Sequence, residues 1–429
     1  MSLGQSHAGH ALEHRLDQAA GHGYEGIELF YDDLEYLALT LPLEPPSEIL
    51  DTAKTTPTAS STATGTVALA STTAPTDSQL VRAAALVRGM CEHRKLVVLC
   101  LQPFRHFEGL VDKTARADRL SELRLWCRLA AILRTDLILI PSNFLPAIQL
   151  TGDLDVIVQD MRDAADVAAA AKPPVRLCYE ALAWGTHIDT WQASWDVVQR
   201  VDRSNMGLCL DTFNMAARIY ADPALSGGVQ VAGQEAMKAS LEELVATVDV
   251  GRVFLVQVAD GARLAAPMQP GHPLFDADMP SRMAWSRNHR LFYSEDSRSG
   301  YLPVAAVLDA FFNGLGYRGW VSFELFNRRM SDTDASVPAE MAQRGAESWA
   351  KILRDFQLVT ERPASTSAKG VADRAVCATR IAHAVNKEDE EETVKSGAGS
   401  NSTGDANMRK KPWVRWLSAC AASKTTYDD

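Results

Sequence analysis

Residues 176–180 read RLCYE. The first four suit a buried strand, and the fifth is a carboxylate. Burying a carboxylate without a partner is costly, so the stretch makes sense only if the fold compensates Glu180. The same ending recurs downstream: GLCLD stops on Asp211, VFLVQ on Gln257 and WVSFE on Glu324. Side chains alternate faces along a strand. Cys178, Cys209, Leu255 and Ser322 therefore share a face with the terminal polar residues. The opposite face carries Leu177, Tyr179, Leu208, Leu210, Phe254, Val256, Val321 and Phe323, all apolar or aromatic, as expected of strands packed under helices.

Three further apolar runs lie upstream: GIELF (26–30), LVVLCL (96–101) and LILIP (137–141). The spacers show helical periodicity, as in RLSELRLWCRLAAIL (119–133) and SLEELVATV (240–248). Such alternation predicts a parallel sheet covered by helices. With MSL at the start as a clipped first strand, eight units close as an α/β (β/α)8 TIM barrel. A doubly wound open sheet is the alternative, but no GxGxxG follows the first strand.

In a barrel the four polar ends converge inside the C-terminal rim, where this architecture keeps its active sites. Three carboxylates and an amide there repel one another without a cation. Oxygen-only ligation suits Mg²⁺ or Mn²⁺ better than Zn²⁺. Each acid taken alone reads as a helix cap or the partner of an Arg. Four strands in one register favour the metal site.

Composition narrows the class. The 429 residues are 46% hydrophobic, enough for a large core, and the net charge of −11 argues against a nucleic-acid partner. No apolar run is long enough for a bilayer. The seven cysteines are odd in number and contain no CxxC pair, which fits a reducing cytoplasmic compartment and no secretory leader. Residues 45–78, rich in Thr, Ala and Ser, read as a flexible insertion; 359–429 reads as a disordered tail after a single catalytic domain over 1–358. The ending KKPWVRWLSACAA is either a docking helix or a loose end.

The stretches GYEGIELFYDDL, LQPFRHFEGLVD, TDLILIPSNFLP, YEALAWGTHIDTW, NMGLCLDTFNMAARIYADP, PGHPLF, AWSRNHRLFYSEDSRSGYLPV and GWVSFELFNRRMSD resemble fungal 3-dehydroshikimate dehydratases of quinate catabolism. The likeness runs from Ser2 to about Phe356, and it starts at what would be the end of that family's first strand. It implies a xylose-isomerase-like barrel and a lyase that eliminates water from a small molecule, 3-dehydroshikimate, to give protocatechuate. It also implies that Glu180, Asp211, Gln257 and Glu324 hold a divalent metal. The proton removed is alpha to a ketone, so a cation at the ketone and hydroxyl oxygens stabilises the developing enediolate.

A base and an acid are also needed. Some bacterial relatives carry a His two residues after the first metal Glu, where this chain has Leu182. His187, seven residues after Glu180, is the candidate here, either as base or as an orienting group; a loop His bonding a backbone carbonyl is the bland reading. For the substrate carboxylate the order of preference is Arg290, then Arg105, with Arg287 third. Asn214 is placed to bond a substrate hydroxyl, and Trp184 and Phe213 to wall the ring. Glu28 reads equally as a rim residue or a helix cap, and His106 is left without a role. No nucleic-acid or membrane partner is expected, and homo-oligomerisation stays open. The competing functions are a sugar isomerase or epimerase of the same barrel, a multi-zinc endonuclease, and a catalytically inactive relative. The −11 charge and the scarcity of His near the ring weigh against the endonuclease.

Overall fold

Seven parallel strands carry the core: β1 (Gly26–Phe30), β2 (Val97–Gln102), β3 (Leu137–Pro141), β4 (Arg176–Glu180), β5 (Met206–Asp211), β6 (Val253–Gln257) and β7 (Trp320–Ser322). This computed structural model describes residues 2–43, 74–360 and 413–416. Each strand pairs with the next in parallel, from β1 through β7. The helices over the outside include α1 (Leu12–Gly21), α2 (Tyr31–Thr40), α3 (Asp77–His93), α4 (Lys113–Leu133), α5 (Leu154–Ala170), α6 (Trp191–Val201), α7 (Thr212–Ile219), α8 (Gly233–Thr247), α9 (Ser281–His289), α10 (Val304–Asp309) and α11 (Val337–Asp355). The result is a nearly closed TIM barrel, as the alternation predicts.

Local chemistry sets the helix starts. Asp112, Asp153 and Thr190 accept backbone N–H groups at the starts of α4, α5 and α6. Thr76 and Gln79 form a capping box at α3, so the segment read as an insertion to 78 already turns helical at Asp77. In α11 the buried residues Val337, Met341, Gly345, Ser348 and Ile352 follow the helical period. Gly345 is required there, because a Cβ would stand 2.1 Å from the Tyr24 hydroxyl.

The expected clipped first strand does not form. Residues 2–4 make only an isolated bridge, and a 3₁₀ turn follows at Ser6–Ala8. β1 and β7 do not pair with each other among the described residues. A slot of about 830 Å³ opens between them, lined by Ser2, Ile27, Glu28, Ser322 and Phe323 among others. The Ser2 hydroxyl pins the upper end: it donates to the Phe323 carbonyl at 3.1 Å and accepts from the Leu325 N–H at 2.9 Å. At the lower end a strand at Trp413–Trp416 pairs in parallel with β7, and Val359–Thr360 pairs with it in turn. Most of the expected insertion and most of the expected tail lie outside the described residues.

Candidate metal centre and active site

Glu180 and Asp211 end β4 and β5, and Gln257 ends β6 opposite Asp211 in the ladder. β7 stops at Ser322, so Glu324 stands two residues beyond the strand, in the loop above it. The barrel brings all four to its C-terminal end, and each is at most 7% exposed. One carboxylate oxygen from each of Glu180, Asp211 and Glu324 lies within 4.8 Å of the other two, close enough to share a cation.

The electrostatics are those of an unbalanced cluster. Burial, then Glu324 and Asp211, push the Glu180 carboxyl well above its usual range. Burial raises Glu324 to about 7, against the pull of Arg290. Glu28 on β1 faces the same interior: burial and Glu324 raise it to about 8, although the slot leaves it partly open to solvent. Four carboxylates thus face one guanidinium.

That guanidinium is Arg290, which is 1% exposed. Its Nη1 donates to Asp211 Oδ2 at 2.6 Å and to Glu324 Oε2 at 3.1 Å; its Nε donates to the Ser286 hydroxyl at 2.9 Å. It also lies 4.5 Å over the Phe213 ring. Asp211 Oδ1 caps α7 by accepting from Phe213 N at 2.6 Å and Asn214 N at 3.1 Å. The bland reading of an acid as cap and Arg partner therefore holds in part for Asp211. The carboxylate excess remains.

The donor set fits a divalent cation on a further observation. Gln257 is fully buried, its Nε2 is taken by Glu28 at 3.0 and 3.2 Å, and its Oε1 has no partner. A buried amide oxygen left bare costs about 1–3 kcal/mol, and a bound cation removes that cost. Gln102 repeats the pattern: Nε2 donates to Glu28 Oε2 at 2.9 Å, and Oε1 is unpartnered.

Above the ring lies a cavity of about 900 Å³, including its open mouth, lined among others by Phe30, Gln102, Arg105, Phe144, Glu180, Leu182, Trp184, Arg287, Arg290, Glu324 and Phe326. Arg105 at its edge pairs with Asp32 at 3.2 Å. Arg287 is exposed at the cavity and has no hydrogen bond or ion pair among the described residues. The Trp184 indole N–H is likewise unpartnered. Asn214 is occupied: its Nδ2 donates to Glu180 Oε1 at 2.8 Å and its Oδ1 accepts from Ala183 N at 3.1 Å, so it braces the ring. Phe213 sits under Arg290 instead of walling the cavity.

His187 is not brought to this centre. It is exposed and packs over Gly152, where a Cβ would come within 2.9 Å of its ring. His106, which the sequence left unassigned, lies beside Phe144, a residue that lines the cavity. Its ring leans on Phe144 with centroids 4.5 Å apart, in a left-handed backbone turn at φ 55°. Burial, together with Arg119, Arg105 and Arg287, lowers its pKa and keeps it neutral. Its adjacency to Arg105 was the available signal.

The chain matches the xylose isomerase-like TIM barrel family over residues 16–352. It belongs to that family. Within these barrels it is 47% identical to a 3-dehydroshikimate dehydratase from Neurospora crassa, over 85% of this chain and 95% of that one. A 3-dehydroshikimate dehydratase from Pseudomonas aeruginosa is 33% identical over 56% of this chain, but the match spans only 31% of that longer protein. Among solved structures, a fusion of a xylose isomerase-like TIM barrel with a 4-hydroxyphenylpyruvate dioxygenase superposes with TM-score 0.53 at 26% identity, covering 79% of this chain and 40% of that one. No helix among the described residues of this xylose isomerase-like barrel is long and apolar enough to cross a membrane.

Proposed function

We infer that this protein is a 3-dehydroshikimate dehydratase, a hydro-lyase forming protocatechuate. The observation that carries the reading is the bare Gln257 Oε1 beside three converging carboxylates, in a chain 47% identical to the Neurospora dehydratase over nearly its full length. Glu180, Asp211, Gln257 and Glu324 would hold a divalent cation, with Mg²⁺ or Mn²⁺ favoured by the all-oxygen set. Such a cation supplies a Lewis acid for the ketone and hydroxyl oxygens of the substrate.

The chain's own residues supply the rest. Arg290 and Asn214 keep the carboxylates fixed, so they act on the ring and not on the substrate. Arg287, which lines the cavity and has no partner among the described residues, is the best-suited cation for the substrate carboxylate, and Arg105 adds positive field at the mouth. Gln102 Oε1 and the Trp184 indole N–H offer an acceptor and a donor to ring hydroxyls. His106, held neutral, suits proton transfer; the exposed His187 does not. The five described cysteines are all free and buried, which supports the cytoplasm as the compartment.

The test is incubation with 3-dehydroshikimate and Mg²⁺ or Mn²⁺, followed at the protocatechuate absorbance. Appearance of the aromatic acid supports the reading. A non-absorbing isomer of a sugar substrate, with no aromatic product under any divalent metal, would replace it with the isomerase reading.

A further inference from the structure

Glu28 faces the acid ring from β1 but lies outside the ligand set, and every hydrogen bond its side chain makes among the described residues is one it accepts. Oε1 takes the Ser322 hydroxyl, Oε2 takes Gln102 Nε2 at 2.9 Å, and both oxygens face Gln257 Nε2 at 3.2 and 3.0 Å. The partners come from β7, β2 and β6, so Glu28 ties three strands together beneath the acid ring.

A glutamine amide has two ends of similar shape and opposite polarity, and nothing intrinsic decides which end faces which neighbour. Both Glu28 oxygens already act as acceptors, Oε1 from the Ser322 hydroxyl and Oε2 from Gln102 Nε2. With Glu28 in place, turning the Gln257 amide over would set oxygen against oxygen in a buried site, so the amide nitrogen is held on Glu28 and Oε1 is left facing away from it. That oxygen is the unpartnered one, on a residue that is fully buried and paired with Asp211 across the ladder.

We propose that Glu28 is a positioning residue that sets the orientation of the Gln257 amide, presenting Oε1 and not Nε2 to the metal. This rests on the reading of the acid ring as a divalent-cation site. Groups bonded to metal ligands commonly matter by about 10–100-fold in metal affinity.

In the Glu28→Gln variant, the new amide places its own N–H₂ or its own oxygen on Gln257, and the orientation is no longer dictated. The variant also removes a charge, so loss of affinity alone does not separate orientation from electrostatics. The Gln257→His background separates them. An imidazole ligates through one nitrogen and donates the other N–H to whatever acceptor position 28 offers, and either Glu or Gln can accept it.

The experiment is calorimetric titration of Mn²⁺ into chelator-stripped protein, with a circular-dichroism melt for each variant. The expected result is that Glu28→Gln weakens Mn²⁺ binding at least about tenfold in the wild-type background, and less than about threefold in the Gln257→His background. Equal losses in both backgrounds mean that Glu28 acts by charge alone and overturn the proposal. So does unchanged affinity in Glu28→Gln. If Glu28→Gln alone does not fold, the double variant against Gln257→His decides: binding within about threefold supports the proposal, and a loss of tenfold or more overturns it. Wild-type protein that binds no Mn²⁺ overturns the metal reading itself, a failure distinct from the others.

Discussion

Two of the buried charge clusters in this barrel differ in their balance. In the first, Arg15 on α1 meets Asp33 on α2 in a two-pronged contact, each prong 2.8 Å long. Ser6 donates a further bond to Asp33 at 2.8 Å. Burial works against the Asp33 charge, but Arg15 and Ser6 hold its carboxyl below the usual carboxylate range. Here cationic charge meets the buried anion. In the second, Glu28, Glu180, Asp211 and Glu324 answer to Arg290 alone, the pKa values of three of these acids are pushed up, and two amide oxygens stay bare. Both clusters are buried and hydrogen-bonded. What marks the second as a site is the charge and the acceptors it leaves over.

The comparison can be broken in order of effect. His106→Ala should lower kcat about 10²–10⁴-fold, the span of general acid–base catalysis, while His187→Ala stays within about threefold of wild type. Steady-state kinetics on both variants checks this, and the reverse order would return the role to His187. Arg287→Ala should raise KM about 10–100-fold with a smaller change in kcat, the loss of one charge-assisted contact to a carboxylate. Equal losses in kcat and in kcat/KM would move Arg287 from binding to chemistry.

Metal affinity should depend on pH with a definite sign. Glu324 titrates near 7 and the Glu180 carboxyl is pushed well above its usual range in the metal-free site, so as the pH falls protons must leave before a cation enters. Divalent-ion Kd should therefore weaken about tenfold or more per unit as pH falls from 8 to 6, measured by titration calorimetry. A flat profile would mean the ring is already ionised without metal. The balanced cluster supplies the control. Asp33→Asn strands the buried Arg15 and should cost about 3–5 kcal/mol in a denaturant melt, with metal affinity of the folded protein unchanged.

The ring was legible because three of its members end strands and the fourth continues one. Polar endings on RLCYE, GLCLD and VFLVQ show in a single line of sequence, and the period of two puts them all inside. Glu28 was harder. It sits mid-strand in GIELF, and its meaning depends on Gln257, 229 positions away, brought beside it by the barrel. The partners of the arginines were hidden for a related reason. Sequence shows Arg287 and Arg290 only as two arginines three residues apart, whereas the fold commits Arg290 to Asp211 and leaves Arg287 without a partner among the described residues. The slot between β1 and β7 was foreshadowed only as a short first strand. Residues 2–4 make only an isolated bridge, with Gly4 at φ 105° among them.

The central claim is that the unbalanced cluster exists to hold a divalent cation. Its most direct test is Mn²⁺ titration of chelator-stripped protein beside a Glu180→Ala variant with an unchanged melt. One ion per chain is expected in the wild type and none in the variant, with aromatic product only where the ion binds. A Glu180→Ala protein that binds the ion and turns over as the wild type does would contradict it.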